Sequence, residues 1–578
     1  MRSSGLLLHV SSLPSEWGIG DFGPPATAWI DRLADAGQRW WQFLPLSPPG
    51  RGNSPYEPFS TFALNELFLS PDWLVEDGLL QKSELPAAQP SSTRVDYPAV
   101  ITLKHGLLEL AQTHFRGAAR PDLRQAFDQF CQAQASWLDD YALFRALRIA
   151  HGDREFHAWP PALLHHDPAA LAEARAQLSE PFDRFRLGQF LAHRQLLRLR
   201  EHARSRGVGL IGDVPFFVSP DSSDVWAHPE LFLLDADRRP QFVAGVPPDY
   251  FSADGQLWGE PLYDWDALRR TGYQWWLARI GTVLSHVDLV RLDHFRAFAA
   301  AWHIPAGATT AVHGEWRPGP EADFLAAAQA RLGSLPLIAE DLGLITPDVI
   351  ALRDQFSLPG MRVLQFALDG DPQNPFLPEH YPPNVVAYTA THDNQTTRAW
   401  YESLGEEARR RIWTCIGHPI EPSDAAWELI RLIWESKASL AITPLQDLLN
   451  LGADARMNWP GRPLNNWNWR ATPEHLDSPA FERLRALTRQ TGRITPQRVS
   501  PRKNLPGCER SHIHLARKRS QSGFLSVCDI IGDRLRGDLS ALPRGRPVAV
   551  STGRPCGIPT GRPVPFCAKL GRFFKHPL

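Results

Sequence analysis

The segment DLVRLDHF, residues 288–295, contains the side chains most able to do chemistry. Its apolar run is typical of a short buried strand that ends at an acid, Asp293. Arg291 and Asp293 are two residues apart, so their side chains project from the same face of that strand. The charge of Arg291 then favours the ionised carboxylate of Asp293, a group able to attack an electrophile. A purely structural ion pair at a strand end explains these two residues equally well.

Three other acids stand at the ends of similar apolar runs. They are Asp213, Glu340 and Asp393, in residues 209–217, 336–343 and 384–394. If these runs are parallel strands, their carboxyl ends meet at one edge of a sheet. A single acid at a strand end is more often a helix cap or a loop anchor. Several carboxylates at one edge repel one another, so their convergence indicates a functional site.

Two carboxyl groups on either side of a bond can cleave a glycoside with retention of configuration. One attacks the anomeric carbon and must be ionised, which the neighbour Arg291 favours for Asp293. The other protonates the leaving oxygen and later activates the acceptor. Glu340 suits that second role, because the negative charge of nearby acids keeps a carboxyl group protonated. His294 and His392 are candidate hydrogen-bond donors to sugar hydroxyls.

The pairs Asp293-His294 and His392-Asp393 also resemble metal ligands. Adjacent residues of a strand point to opposite faces, however, so each pair offers one ligand to a shared site. We therefore expect no metal and no organic cofactor. A phosphate-binding barrel is disfavoured as well, because no Gly-rich loop precedes a helix near the last apolar runs.

Eight apolar runs of strand length alternate with helical patterns along the chain. The runs are 5–10, 39–46, 209–217, 288–295, 336–343, 361–368, 384–394 and 439–447. Their continuous hydrophobicity is typical of parallel strands buried on both faces. The helical patterns cover 25–37, 186–207, 271–287, 321–333, 346–356, 405–416 and 423–437. This alternation predicts an α/β fold, a (β/α)8 TIM barrel.

Two connections are too long to be simple loops, and they predict large insertions at the C-terminal face of the strands. Residues 47–185 carry a helical pattern around 136–148, and residues 218–270 are rich in Pro, Gly, Asp and aromatics. The catalytic barrel is expected to span residues 1–493. Residues 494–578 contain 16 Lys and Arg against 4 Asp and Glu, a net charge of +12. This Arg/Pro/Gly-rich tail predicts disorder or an aberrant extension, the alternative being a basic arm for an acidic partner.

The composition also predicts where the protein acts. No run of about 18 uncharged apolar residues is present, so no membrane span is expected. The first apolar run is too short for a secretory signal and lacks a clear cleavage site. Cys131 and Cys415 are the only cysteines before residue 494, which indicates a reducing compartment. We predict a cytoplasmic protein with neither membrane nor nucleic acid as a partner. The sequence makes no prediction of its oligomeric state.

The sequence motifs resemble those of the amylomaltases, or 4-α-glucanotransferases, relatives of the α-amylases. The motifs include LLLHVSSLPSEWGIGDFG, GDVPFFV, VRLDHFRAF, IAEDLG, YTATHDNQTT and PLQDLLNLGADARMNWPGRPLNNWNWR, and they cover residues 5–470 in order. The resemblance implies transfer of an α-1,4-glucan segment to another sugar, with maltooligosaccharides or other α-1,4-glucans as substrates. An α-glucan hydrolase is the alternative within the class. A non-catalytic glucan-binding protein would be expected to lack at least one of the carboxylates.

Carried over residue by residue, the resemblance makes Asp293 the nucleophile, Glu340 the general acid and base, and Asp393 a third carboxylate that holds sugar hydroxyls. The residues implied to bind substrate are Tyr56, Asp213, Asp249, Tyr250, Phe251, Trp258, Arg291, His294, His392 and Asn466. Five positions depart from the family pattern, and two of them, Ser47 and Asn53, lie in the loop after the second apolar run. Glu260 stands in place of an amide, Gln395 in place of an acid and Asn465 in place of a glycine.

Overall fold

The computed structural model describes residues 2–88, 92–117, 120–248, 252–367, 369–462 and 464–494. Its strands within these ranges are β1 (Ser3–Leu7), β2 (Trp40–Gln42), β3 (Gly209–Val214), β4 (Phe242–Val246), β5 (Gln256–Pro261), β6 (Leu289–Leu292), β7 (Ala300–Pro305), β8 (Glu315–Pro318), β9 (Leu337–Ala339), β10 (Gly360–Val363), β11 (Val385–Tyr388) and β12 (Leu440–Pro444). The basic tail predicted from residue 494 lies, except for that first residue, outside the described ranges.

The α-helices vary from single turns to a helix of 27 residues. They are α1 (Pro24–Asp35), α2 (Pro71–Glu76), α3 (Tyr97–Gly117), α4 (Pro121–Ala133), α5 (Leu138–Ala150), α6 (Pro161–Leu164), α7 (Pro168–Gln177), α8 (Ser179–Ser205), α9 (Ser223–Ala227), α10 (Trp265–Arg270), α11 (Gln274–His286), α12 (Glu321–Leu332), α13 (Pro347–Gln355), α14 (Thr397–Ser403), α15 (Glu406–Ile416), α16 (Ala425–Glu435), α17 (Leu445–Leu448), α18 (Pro473–Leu476) and α19 (Ala480–Gln490).

Eight of these strands close a parallel barrel in the order β1-β2-β3-β6-β9-β10-β11-β12, with β12 paired to β1. Each of the eight apolar runs singled out in the sequence supplies one barrel strand, which confirms the (β/α)8 fold. The strands β11 and β12 are buried along their whole length, as expected for strands packed on both faces. Parallel closure brings the carboxyl ends of all eight strands to one mouth.

The connection between β2 and β3 is largely helical and contains the helices from α2 to α8. The helix α8 is long enough to pack against both α5 and the barrel helix α1. The predicted helix at 136–148 corresponds to α5. The helix predicted to begin at residue 186 begins at Ser179, so the proposed end of the insertion at residue 185 falls inside α8.

A second sheet, which the sequence did not predict, lies beside the mouth of the barrel. Its four antiparallel strands have the order β5-β4-β7-β8. Two of them come from the 218–270 connection, and two follow β6. Each of these strands contains glycine or proline, and β5 and β8 have few apolar residues, so the pattern resembled loops. This sheet carries Trp258 and Glu260, both in β5.

The end of the barrel domain is held by a buried guanidinium group. Arg493 is fully buried and donates hydrogen bonds to the carbonyl oxygens of Trp434, Ile433 and Ser436, at the C-terminus of α16. It also donates to the carbonyl oxygen of Ala438, just before β12, and to that of Ser3, the first residue of β1. Carbonyls at a helix C-terminus lack partners within the helix and favour a cation. The bottom of the barrel is therefore closed by residue 493.

None of the helices in the described ranges is long and apolar enough to cross a membrane.

Candidate active site

A buried arginine connects two of the acids at the barrel mouth. The register of β3 and β6 places Asp213 directly beside Arg291. The Nη1 atom of Arg291 donates to both carboxylate oxygens of Asp213, at 2.8 and 2.9 Å. Its Nη2 atom donates to Oδ1 of Asp293 at 2.7 Å. The charge-assisted hydrogen bond from Arg291 fixes the orientation of Asp293 at the end of β6.

Asp213 supports this arrangement from beneath. Its side chain is completely enclosed. Burial raises its pKa, and the charge of Arg291 opposes that effect. Since both of its oxygens accept from Arg291 and one also accepts from the hydroxyl of Tyr56 at 2.9 Å, Asp213 has partners for its lone pairs within the protein. The structure therefore places Asp213 as a residue that positions Arg291 and Tyr56.

Glu340 follows β9 directly, and backbone groups hold its carboxyl. The N–H of His294 donates to Oε2 at 2.7 Å, and the N–H of Leu342 donates to Oε1 at 2.8 Å. His294 adopts the left-handed region, with φ of 47°, at the turn after Asp293. Burial and then the charge of Asp293 raise the pKa of Glu340 to about 7, against the effect of Arg291 and the two backbone donors. Glu340 can therefore hold or release a proton near neutral pH.

The pKa of Asp393, in contrast to that of Glu340, is lowered, so Asp393 is ionised. Burial alone would raise its pKa, but His392 and Asn458 hold it well below the usual range. The Nε2 atom of His392 lies 3.2 Å from Oδ2, and Nδ2 of Asn458 donates to Oδ1 at 2.7 Å. Arg456 donates to the backbone carbonyl of Asp393 at 2.6 Å. Asp393 is therefore an ionised acceptor, and its contact with sugar hydroxyls stays a prediction.

Aromatic rings form one wall of the mouth. The ring of Tyr56 stacks on His392, with centroids 5.0 Å apart and planes at 16°. The ring of Trp467 lies 5.7 Å from Tyr56 and 5.9 Å from His392. The hydroxyl of Tyr56 is held by Asp213. This packing gives Tyr56 a fixed orientation, and its stacking on a sugar stays a prediction.

The rings of His294 and Trp258 form another wall. Their centroids are 4.8 Å apart and their planes nearly perpendicular, at 83°. Burial lowers the pKa of His294 to about 4, so its imidazole is neutral at neutral pH. Its Nε2 atom is buried and lacks a hydrogen-bond partner within the described ranges. A neutral imidazole with a free nitrogen can donate to, or accept from, a sugar hydroxyl.

Not every residue predicted for the site is placed in this way. Asp249, Tyr250 and Phe251 lie outside the described residues. The side chain of Asn466 bonds to its own loop, accepting from the N–H of Trp459 at 2.9 Å and donating to the carbonyl of Arg462 at 2.7 Å. These bonds order the loop, and a contact between Asn466 and substrate stays a prediction.

Several groups around the acids were not predicted from the sequence. Asn458 and Trp467 lie within the quoted motif that ends the resemblance, but nothing in their spacing singled them out. His9 follows β1, and burial together with the charge of His392 lowers its pKa to about 3. In the part of the chain that the structure describes, no cluster of three or more His, Cys, Asp or Glu could hold a metal ion.

A (β/α)8 barrel that presents one arginine-paired carboxylate, one carboxyl with a pKa raised to about 7 and a further ionised acid is typical of enzymes that cleave or form glycosidic bonds. The sequence profile of the 4-alpha-glucanotransferase family matches residues 8–476. The chain belongs to this family and is a transferase of this class, which confirms the assignment made from its motifs.

Curated relatives support the family over nearly their whole length. The chain is 46% identical to the 4-alpha-glucanotransferase of Synechocystis sp. over 496 residues, which are 85% of this chain and 98% of the relative. It is 45% identical to the enzyme of Thermus thermophilus over 501 residues, 85% of this chain and 99% of the relative.

Solved structures agree with the fold. The amylomaltase from Streptococcus agalactiae, in complex with acarbose, has a TM-score of 0.82 and 35% identity, covering 86% of this chain and 100% of its own. The amylomaltase from Corynebacterium glutamicum, at 18% identity and a TM-score of 0.67, shares the fold.

Proposed function

We propose that this transferase moves an α-1,4-glucan segment from a maltooligosaccharide to the 4-hydroxyl of an acceptor glucan or glucose, through a covalent bond to Asp293. The observation that carries the proposal is the contrast between two neighbouring carboxyls. Arg291 donates a hydrogen bond that orients Asp293, whereas burial and the charge of Asp293 raise the pKa of Glu340 to about 7. Double displacement requires one carboxylate oriented for attack and one carboxyl that can give and take a proton near neutral pH.

In the first step an oxygen of Asp293 attacks the anomeric carbon of the donor. The glycosidic bond breaks, and its electron pair stays on the leaving oxygen, which takes the proton of Glu340. The products are a glycosyl ester on Asp293, a shortened glucan and the carboxylate of Glu340. The bond from Arg291 holds the attacking oxygen in place, which reduces the entropy lost on reaching the transition state.

In the second step the acceptor hydroxyl attacks the same carbon. Glu340 takes the hydroxyl proton, the ester bond to Asp293 breaks, and the carboxylate of Asp293 is restored. Two inversions at one carbon give net retention. The backbone donors on Glu340 stabilise its carboxylate between the two steps, since the N–H groups of His294 and Leu342 already point at its oxygens.

The other side chains are proposed to hold the sugar. Asp393 and His392 accept from and donate to hydroxyls of the distorted ring at the cleavage point. His294 offers its free Nε2. Hydroxyl contacts that strengthen as the ring flattens stabilise the transition state more than the bound substrate.

The loop that includes Asp249, Tyr250 and Phe251 is proposed to cover the acceptor. Its continuation, Trp258 in β5, packs against His294 beside Glu340 and supports this assignment. Transfer competes with hydrolysis at the glycosyl ester. A cover that excludes water and orients a sugar hydroxyl favours transfer.

We further propose that residues 1–493 are the catalytic unit, with insertions at about 47–185 and 218–270. The closure of the barrel by Arg493 supports the end of that unit. A cytoplasmic location is also proposed, and the free thiols of Cys131 and Cys415 fit a reducing compartment.

Incubation of the purified protein with maltotriose alone tests the proposed function. We expect glucose together with a ladder of longer maltooligosaccharides, separated by chromatography. Glucose and maltose without longer products would make the protein a hydrolase. Unchanged maltotriose would contradict the activity altogether.

A further inference from the structure

Glu260, near the end of β5, carries a carboxyl group that the catalytic scheme does not use. Its Oε2 atom is buried and has no hydrogen-bond partner among the residues that the structure describes. A buried polar atom without a partner is unfavourable, because the hydrogen bonds it made to water are not replaced. Such an atom therefore calls for a physical reason, and a bound ligand is one.

The surroundings of Glu260 place it at the catalytic centre. Burial, followed by the negative charges of Glu57 and Asp293, raises its pKa to about 8. Glu57 comes from the β2–β3 connection, and burial raises its pKa as well. Two acids from two other segments, Glu57 and Asp293, thus act electrostatically on Glu260.

The strand that carries Glu260 packs beside the residues that hold Glu340. Two residues earlier in the same strand, Trp258 packs edge-to-face on His294, whose backbone N–H holds Glu340. In a retaining reaction, the residue that acts first as acid and then as base lies beside the leaving group and, later, beside the acceptor. Tyr56, in contrast, packs around His392, on the side of Asp393.

We propose that Glu260 is a specificity-determining residue that binds a hydroxyl group of the acceptor sugar. This inference rests on the proposed function, because it assigns a role within the second step. A neutral carboxyl has one O–H donor and one carbonyl acceptor, which together match the donor and acceptor of a sugar hydroxyl. The sugar supplies the partner that the Oε2 atom lacks.

The ionisation of Glu260 should weaken this contact. A carboxylate cannot donate, and its charge would add to the negative charges of Glu57 and Asp293 that already act on Glu260. Acceptor affinity is therefore expected to fall at alkaline pH. Since Glu340 governs proton transfer in both steps, its titration affects kcat, whereas that of Glu260 affects the KM for the acceptor.

The test measures acceptor KM and kcat between pH 6 and 9.5, from the incorporation of ¹³C-labelled glucose into oligosaccharides with maltotriose as donor. The variants are Glu260→Gln, which stays neutral and keeps a donor and an acceptor, and Glu260→Met, which has neither. The control is Leu257→Ala, because Leu257 lies in the same strand and is 40% exposed. Melting temperatures by circular dichroism show whether each variant folds.

The acceptor KM of the wild-type protein and of Leu257→Ala should rise above about pH 8. In Glu260→Gln it should stay constant across that range. Glu260→Met should raise the acceptor KM by about tenfold at pH 6.5, as the loss of one hydrogen bond predicts, with a smaller change in kcat.

An alkaline rise of acceptor KM that persists in Glu260→Gln would overturn the inference, as would a wild-type KM in Glu260→Met. Because the Gln variant keeps the shape of the side chain, it decides the question even if the Met variant does not fold. Wild-type protein that incorporates no glucose would overturn the proposed function and this inference together. Wild-type transfer with unaffected variants would overturn the inference alone.

Discussion

Replacing Asp293 by Asn should reduce transfer from maltotriose by at least about 10⁴-fold, while the protein still binds maltooligosaccharides. The amide is a poor nucleophile, and loss of the nucleophile in enzymes that use covalent intermediates costs up to about 10⁶-fold. The amide oxygen can still accept from Arg291, so the pocket keeps its shape. Product chromatography measures turnover, and calorimetric titration with maltooligosaccharide measures binding.

The matched control is Asp288→Asn, at the other end of the same strand. Asp288 pairs with Arg200 and Arg204, away from the barrel mouth, and each nitrogen lies 3.0 Å from its Oδ1 atom. This variant should transfer at nearly the wild-type rate. Retention of more than about a tenth of the activity in Asp293→Asn would contradict its role as nucleophile, and the account would need another carboxylate.

Replacing Glu340 by Gln should lower kcat/KM on maltotriose by about 10²- to 10⁴-fold, the usual contribution of a general acid. Gln cannot give a proton to the leaving oxygen. A glycosyl fluoride donor provides an internal control, because fluoride leaves without being protonated. The first step should therefore be much less impaired with α-maltosyl fluoride. An equal loss with both donors would contradict the assignment of Glu340 as the acid.

Glu340 should also make the rate of transfer depend on pH. Glu340 must be protonated for the first step, and its pKa is raised to about 7 by burial and by Asp293. In the wild-type protein kcat/KM for maltotriose should therefore fall as pH rises through about 7. Glu340→Gln should lack this alkaline decline at its lower overall rate. A decline that is unchanged in the variant would assign it to another group.

The barrel could be predicted from the sequence because its signals are local. Runs such as residues 384–394 and 439–447 are long, continuous and separated by helical patterns, and the strands β11 and β12 lie within them. The sheet formed by β4, β5, β7 and β8 could not be predicted in this way. Its strands are partly exposed and each contains glycine or proline, so the pairing in space determines them more than their own residues do.

The acids could be located from the sequence because each follows a recognisable apolar run, and parallel strands of a barrel end at one mouth. Their partners come from irregular segments far along the chain. Asn458 lies 65 residues from Asp393, and only the folded loop brings them to 2.7 Å. The bond between Arg291 and Asp213 depends on the register of two strands whose separation in sequence is 78 residues. No periodicity encodes such contacts.

The backbone conformation at the site could not be predicted from the sequence either. His294 was expected to face sugar hydroxyls, but its left-handed conformation also directs its N–H to Glu340. Glu260 was recognised as a departure in the sequence, but its proposed role depends on the folded structure. There its buried Oε2 atom has no hydrogen-bond partner among the described residues, and the charge of Asp293 acts on it.

The most direct test of the central claim is to trap the glycosyl enzyme and locate the bond by mass spectrometry. A fluorinated α-glucosyl fluoride whose ester turns over slowly would be mixed with the protein, followed by proteolysis and sequencing of the labelled peptide. The account predicts one added glycosyl group on Asp293, in the peptide that contains residues 288–295, and no addition to Asp293→Asn. A label on Glu340 or Asp393, or no covalent label during active transfer, would contradict it.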